Sequence, residues 1–199
     1  GVVAKVFDAS RRALTDEITL NTATAGSQDS LSLAMAPLGS FVAAWESPDA
    51  GGTGIVARQF NADGTAAGDQ FAVNTSTAGD QSDPTVGVDA LGRFVVAFSS
   101  GGNILARRFA ADSTPLGAEF TVNTTTAGVQ ESSSLSMTRD GQFVIAWQGP
   151  DADGSGIFAQ QYAADGSASG SQLAVNSFTT GDQFDPTVQV DADGNFIVA

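Results

Sequence analysis

The stretch Val73-Asn74-Thr75-Ser76-Thr77-Ala78-Gly79-Asp80-Gln81, followed at a fixed distance by Phe94-Val95-Val96-Ala97-Phe98, decides how this chain is read. Asn74 recurs as Asn21, Asn123 and Asn176, which spaces the four asparagines by 53, 49 and 53 residues. Phe94 recurs as Phe41, Phe143 and Phe196 at the same spacings, and Phe60 as Phe7, Phe109 and Tyr162. A further column is Trp45, Phe98 and Trp147. Columns that keep a common period near 50 residues mark a repeat architecture, in which each unit is one supersecondary element.

Each unit carries four short strand patterns. The first alternates at period two (Leu33 and Met35, Val86 and Val88, Leu135 and Met137, Val188 and Val190), as a half-buried strand does. A glycine turn follows at Gly39, Gly92, Gly141 or Gly194. The second is nearly continuously apolar from Phe41, Phe94, Phe143 and Phe196, which suits a strand covered on both faces. The third runs from Val2, Ile55, Ile104 or Ile157 to the Phe/Tyr column, and the fourth holds Ile18, Phe71, Phe120 or Leu173. No stretch sustains a helical period. Four strands in about 50 residues match a propeller blade, whose faces are buried only by stacking neighbours.

The fold class expected is therefore all-β, a β-propeller of four blades of four antiparallel strands. The chain opens on the last two strands of a unit and finishes on the first two, so the same reading expects one domain over residues 1–199. Its blades lie at about 30–74, 84–123 and 133–176, and a fourth is zipped from 1–21 and 184–199 to close the ring. An excised piece of a longer array, either a larger ring or a solenoid, has the same pattern and stays open as the alternative. The absence of a starting methionine suggests part of a larger modular chain.

Composition narrows the chemistry. The chain has no cysteine and no histidine, which excludes disulfides, thiolate metal sites, His-ligated zinc and imidazole bases. Its 22 acidic against 8 basic residues give a net charge of −14, which repels phosphate, so no nucleic-acid partner is expected. No apolar run approaches 18 residues, so no membrane insertion is expected either.

The repeat text Val-Asn-Thr-x-Thr-Ala-Gly-x-Gln, then Phe-Val-Val-Ala-Trp or a variant, then Gly-Ile-x-Ala-Arg (here Gly54-Ile55-Val56-Ala57-Arg58), covers essentially the whole chain. It resembles repeats of large bacterial cell-surface and secreted proteins, including RTX-associated ones. The resemblance implies an extracellular propeller module, secreted or at the cell surface, with a structural or adhesive role and a glycan or surface protein as partner. It implies no enzyme activity. The RTX nonapeptide with its Gly-Gly-x-Gly-x-Asp runs is absent.

Two groups of residues are candidates for a site. The loop between the second and third strands reads Pro48-Asp49-Ala50-Gly51 in one unit and Pro150-Asp151-Ala152-Asp153-Gly154-Ser155 in another. Asp49, Asp151, Asp153 and Ser155 are the candidate metal ligands, with calcium the expected cation because it takes oxygen donors. The middle unit, Ser99-Ser100-Gly101-Gly102-Asn103, lacks the acids, and Asp and Gly are also the ordinary residues of turns. Gln28, Gln81, Gln130 and Gln183 recur in every unit, and with Trp45 and Trp147 they are the candidate ligand-binding set of a lectin-like propeller. Structural roles compete here too: amides that tie down a long loop, and indoles packed between blades. Carboxylate pairs such as Asp80/Asp83 and Asp182/Asp185 are replaced in sister units, so no catalytic residue is singled out and a non-enzymatic module is expected.

Overall fold

The computed structural model describes residues 1–199 and contains only strands, bridges and turns. Strands β1 (Val3–Ala4) and β2 (Ile18–Thr19) form a two-stranded sheet. Three four-stranded antiparallel sheets follow. They are β3 (Asp29–Met35), β4 (Phe41–Pro48), β5 (Thr53–Phe60) and β6 (Phe71–Ala72); then β7 (Gln81–Val88), β8 (Phe94–Ser100), β9 (Asn103–Phe109) and β10 (Phe120–Thr121); then β11 (Glu131–Met137), β12 (Phe143–Pro150), β13 (Ser155–Tyr162) and β14 (Ala168–Ala174). Strands β15 (Val188–Val190) and β16 (Phe196–Val198) make a last two-stranded sheet. Within each full blade every strand pairs with its sequence neighbour, a meander. The turn glycines between first and second strands take positive φ (Gly39 91°, Gly92 80°, Gly141 95°, Gly194 86°), a conformation that costs a side-chain-bearing residue.

Register is identical from blade to blade. Phe41 lies opposite Phe60, Phe94 opposite Phe109 and Phe143 opposite Tyr162. The rings of each pair stack with centroids 4.8, 4.9 and 4.8 Å apart. Period two then sends alternate residues of the second strand to opposite neighbours. Phe41, Ala43 and Trp45 pack on Val2 and Leu20 of the preceding half-sheet. Val42 and Ala44 pack on Phe94, Val96 and Phe98 of the blade that follows. The same division places Val95 and Ala97 against Phe143, Ile145 and Trp147. The near-continuous apolar run of the second strand is thus a strand with a blade on either side.

One expectation is corrected. The fourth blade does not assemble from the two ends, and the ring is not closed. The strand β1 pairs only with β2, and β15 only with β16. The first half-sheet is buried against β4 and β5, and the last against β12 and β13. They sit at opposite ends of a propeller-like arc of stacked sheets. Closure requires the rotations between successive blades to add up to a full turn, and those rotations come from side-chain packing between sheets, which strand patterns do not carry.

Candidate functional site

The first strands β3, β7, β11 and β15 lie beside one another, β3 against β7, β7 against β11 and β11 against β15. At their leading ends the ladder to the second strand slips: the register shifts between Asp29 and Ser32, between Ser82 and Thr85, and between Glu131 and Ser134. One residue per bulge adopts a left-handed backbone: Ser30 at φ 50°, Asp83 at 52° and Ser132 at 52°. Asp185, just ahead of β15, takes the same conformation at 54°. None of the four is glycine, and a left-handed backbone at such a residue costs of order 1 kcal/mol. A bulge of this kind turns the side chain out of the ladder's alternation.

These four residues line one solvent-open cavity of about 340 Å³, together with Thr85, Ser133 and the prolines that follow the two aspartates. Its polar lining is two carboxylate residues, Asp83 and Asp185, and a set of serine and threonine residues. The Thr85 and Ser133 hydroxyls are buried and have no partner within the protein. The backbone N–H of Asp83 donates to Glu46 Oε1 at 2.9 Å, which holds the bulge, and Ser82 Oγ donates to the Asp83 carboxylate at 3.2 Å. Two acids and the serines Ser30 and Ser132 around one opening make a polar surface suited to a polyhydroxylated ligand.

The residues singled out from sequence are placed elsewhere. The four glutamines are held in the loops that connect one blade to the next. Gln28 donates to the carbonyls of Ala25 at 3.1 Å and Gly26 at 2.9 Å and accepts from Asn21 Nδ2 at 3.2 Å. Gln81 and Gln183 repeat this with Asn74 at 2.8 Å and Asn176 at 2.7 Å, and Gln130 accepts instead from the indole of Trp147 at 3.1 Å. Trp45 and Trp147 are fully buried between blades. The amides thus tie down the connecting loops and the indoles pack between blades.

In the proposed calcium loop, Asp49 Oδ1 accepts from Gly51 N–H at 2.8 Å and Asp151 Oδ1 from Asp153 N–H at 2.9 Å, side-chain turns that fold each loop on itself. Ser155 N–H donates to Asp182 Oδ1 at 3.1 Å. No group of three or more acidic side chains converges here or elsewhere in the chain. The acids of the Asp-Gly turns behave alike: Asp63 and Asp165 each accept from the hydroxyl and backbone N–H two residues on, which holds both carboxyls below the usual aspartate value. Asp191 does the same for Asp193 and Asn195.

Asp83 and Asp185 belong to pairs visible in the sequence, but nothing there sets them apart. Their column reads Ser30, Asp83, Ser132, Asp185, and the alternation gains meaning only when the four first strands are brought around one opening.

No family model matches the sequence, and no curated protein matches it. Solved structures do. The chain is similar to an endo-arabinase from Bacteroides thetaiotaomicron VPI-5482 (TM-score 0.52, 18% identity) over 90% of this chain and 73% of that one. It is similar to an α-L-arabinanase from Penicillium chrysogenum complexed with arabinobiose (0.51, 14%) over 81% of this chain and 53% of the other. It is also similar to a protein from Lactobacillus plantarum (0.52, 16%) over 100% and 55%. The chain therefore spans about half the length of two of the three. At these identities the likeness is one of fold, and it supports a propeller-like all-β architecture. It also corrects the expectation of a non-enzymatic module. Two of these similar folds are glycan-cleaving enzymes by name, and neither repetition nor the lack of histidine and cysteine excludes an activity that needs only two carboxylates.

Proposed function

We propose that the chain is a carbohydrate-recognising propeller whose site is the opening at the leading ends of β3, β7 and β11. The observation that carries this reading is the placing of Asp83 and Asp185 around one solvent-open cavity with Ser30 and Ser132, all four in left-handed backbone. Carboxylates accept hydrogen bonds from sugar hydroxyls, and serine hydroxyls both donate and accept, so this lining suits a glycan. The folds of the two arabinan-cleaving neighbours support a glycan over other polyhydroxyl ligands. The setting proposed is outside the cell, on a bacterial surface or secreted, in keeping with the repeat resemblance. No helix of the chain is long and apolar enough to cross a membrane.

The test is a glycan array that includes arabino-oligosaccharides, followed by calorimetry. Saturable binding that falls at least tenfold in Asp83→Asn and in Asp185→Asn supports the site. Binding that survives both, or no binding to any glycan, removes it. A second reading has the same specific support: two carboxylates from different blades are the minimum for glycoside hydrolysis. Release of reducing ends from arabinan, abolished by either substitution, distinguishes hydrolysis from recognition alone.

A further inference from the structure

The loop between β14 and β15 departs from the repeat at two places, and both departures are phenylalanines. Phe184 falls in a column that otherwise reads Asp29, Ser82 and Glu131, and Phe178 in one that reads Ala23, Ser76 and Thr125. Phe184 is 65% exposed and Phe178 69%. The exposure belongs to the columns themselves. Asp29 and Glu131 are exposed although each lies opposite a residue of a paired second strand, Glu46 and Gln148, and Ser82 is partly exposed. Ala23, Ser76 and Thr125 are exposed as well. A position that meets water in every unit ordinarily carries a polar or small residue, and here it carries an aromatic ring.

Phe184 stands at the rim of the opening already described. Its Cα is about 3.8 Å, one peptide unit, from that of Asp185, which lines the cavity with Pro186. The loop is tied at this point. Asn176 Nδ2 donates both to the Phe178 carbonyl at 2.8 Å and to Gln183 Oε1 at 2.7 Å, and Gln183 Nε2 donates to the Gly181 carbonyl at 3.0 Å. Ile157 N–H donates to Asn176 Oδ1 at 2.7 Å, which anchors the tie on β13. The residue before Phe184 is thus fixed to the blade, and holding a contact residue in place beforehand lowers the entropy cost of binding. Leu31 adds an apolar side chain to the lining, and no lysine or arginine is part of it.

We propose that Phe184 is the stacking platform of this opening and that its ligand is an uncharged oligosaccharide. The inference rests on the carbohydrate reading above and narrows it. A sugar ring has an edge of hydroxyls and a face of C–H bonds. Asp83 and Asp185 take the edge by accepting hydrogen bonds. Phe184, which has no polar atom of its own side chain to offer, takes the face, because the negative π surface of its ring attracts C–H bonds polarised by the sugar oxygens. The same acids select by charge. A uronate or sulfated unit brings a further negative charge against two carboxylate residues with no cation in the lining to offset it, in a chain of net charge −14.

The experiment is calorimetric titration of the 199-residue chain with neutral arabino-, xylo- and gluco-oligosaccharides and, as the anionic arm, with oligomers of glucuronate and galacturonate. A neutral oligomer is expected to bind at least about tenfold more tightly than any uronate. Phe184→Ala is expected to weaken that binding about fivefold, and Phe184→Tyr, which keeps the ring, to hold it within about twofold. Phe178→Ala is the control: its ring is equally exposed but not adjacent to a lining residue, and wild-type binding is expected. In proton NMR the C–H protons of the bound sugar are expected to shift upfield through the ring current, and to lose that shift in Phe184→Ala. Both phenylalanines are exposed, so neither change disturbs the core, and an unaltered melting temperature checks this. Binding that falls in Asp83→Asn but is the same in Phe184→Ala and wild type, or that falls equally in Phe178→Ala, overturns the platform and leaves the carbohydrate site standing. A uronate that binds as tightly as the neutral oligomers overturns the ligand class. No binding by any oligomer, or binding indifferent to Asp83→Asn, removes the carbohydrate site and this inference with it.

Discussion

The indole Nε1 of Trp147 donates to Gln130 Oε1 at 3.1 Å, whereas Trp45, at the same position of its own unit, buries its Nε1 without a partner. The difference traces to a third residue. In the other units the asparagine of the connecting loop fills the glutamine's oxygen, as Asn21 does for Gln28. Asn123 donates instead to Asn103 Oδ1 at 2.9 Å, which leaves Gln130 free for the indole. The middle unit carries Phe98 in this column and has no indole to satisfy.

Two substitutions of the same type therefore differ in cost. Trp147→Phe breaks a buried hydrogen bond and orphans Gln130, and is expected to destabilise by ~2 kcal/mol beyond any packing loss. Trp45→Phe removes a donor that has no partner and is expected to cost clearly less. Chemical denaturation of the two variants checks the ordering, and equal losses would refute it.

Gly87 lies in β7, packed against the neighbouring β11. A methyl group there would run into the Leu135 side chain and lie 3.0 Å from Met137 Cβ. Gly87→Ala is expected to destabilise by ~1–3 kcal/mol through overpacking between the first strands. Gly68→Ala, where a methyl group meets nothing within 4 Å, serves as the control and is expected to be neutral or slightly stabilising. Thermal melts of both variants decide it.

The left-handed backbone at Asp83 and Asp185 is a cost carried by the proposed site. Asp83→Gly and Asp185→Gly are each expected to raise stability by ~1 kcal/mol, since glycine adopts that conformation freely. The same substitutions are expected to weaken glycan binding, a trade of stability against function. Glycine variants that unfold more readily than the parent would show that the bulges are held by the carboxylates themselves.

Burial pushes the phenol of Tyr162 well above its ordinary value, and its hydroxyl donates to the Val122 carbonyl at 3.4 Å. The native chain therefore keeps this proton at pH values where the unfolded chain releases it. Stability from this group is complete below about pH 10 and declines as the pH rises beyond it. As the chain has a single tyrosine, absorbance at 295 nm reports it directly. The phenolate signal is expected to rise only together with loss of β-structure by circular dichroism, and Tyr162→Phe is expected to flatten the alkaline fall in stability. Ionisation with an ordinary midpoint in the folded chain would contradict this.

Much of the architecture was legible in the residues because the forces that set it are local. Period-two alternation from Leu33 to Met35, the apolar run from Phe41 to Trp45 and the turn at Gly39 each determine a strand or a reversal over a few residues. Fourfold repetition of the Asn21 and Phe41 columns then determines strand order and register. Only the tertiary structure decided how the units stand to one another. Whether Phe7 meets Phe196 depends on rotations summed over all the inter-blade packings, so the two ends lie apart although their strands are complementary. The burial of Trp45, the use of Gln28 and its equivalents as loop ties, and the meeting of Asp83 with Asp185 are likewise matters of distance in space. Asp83 and Asp185, about 100 positions apart, share an opening because the first strands of three successive sheets lie side by side, and no local pattern encodes that.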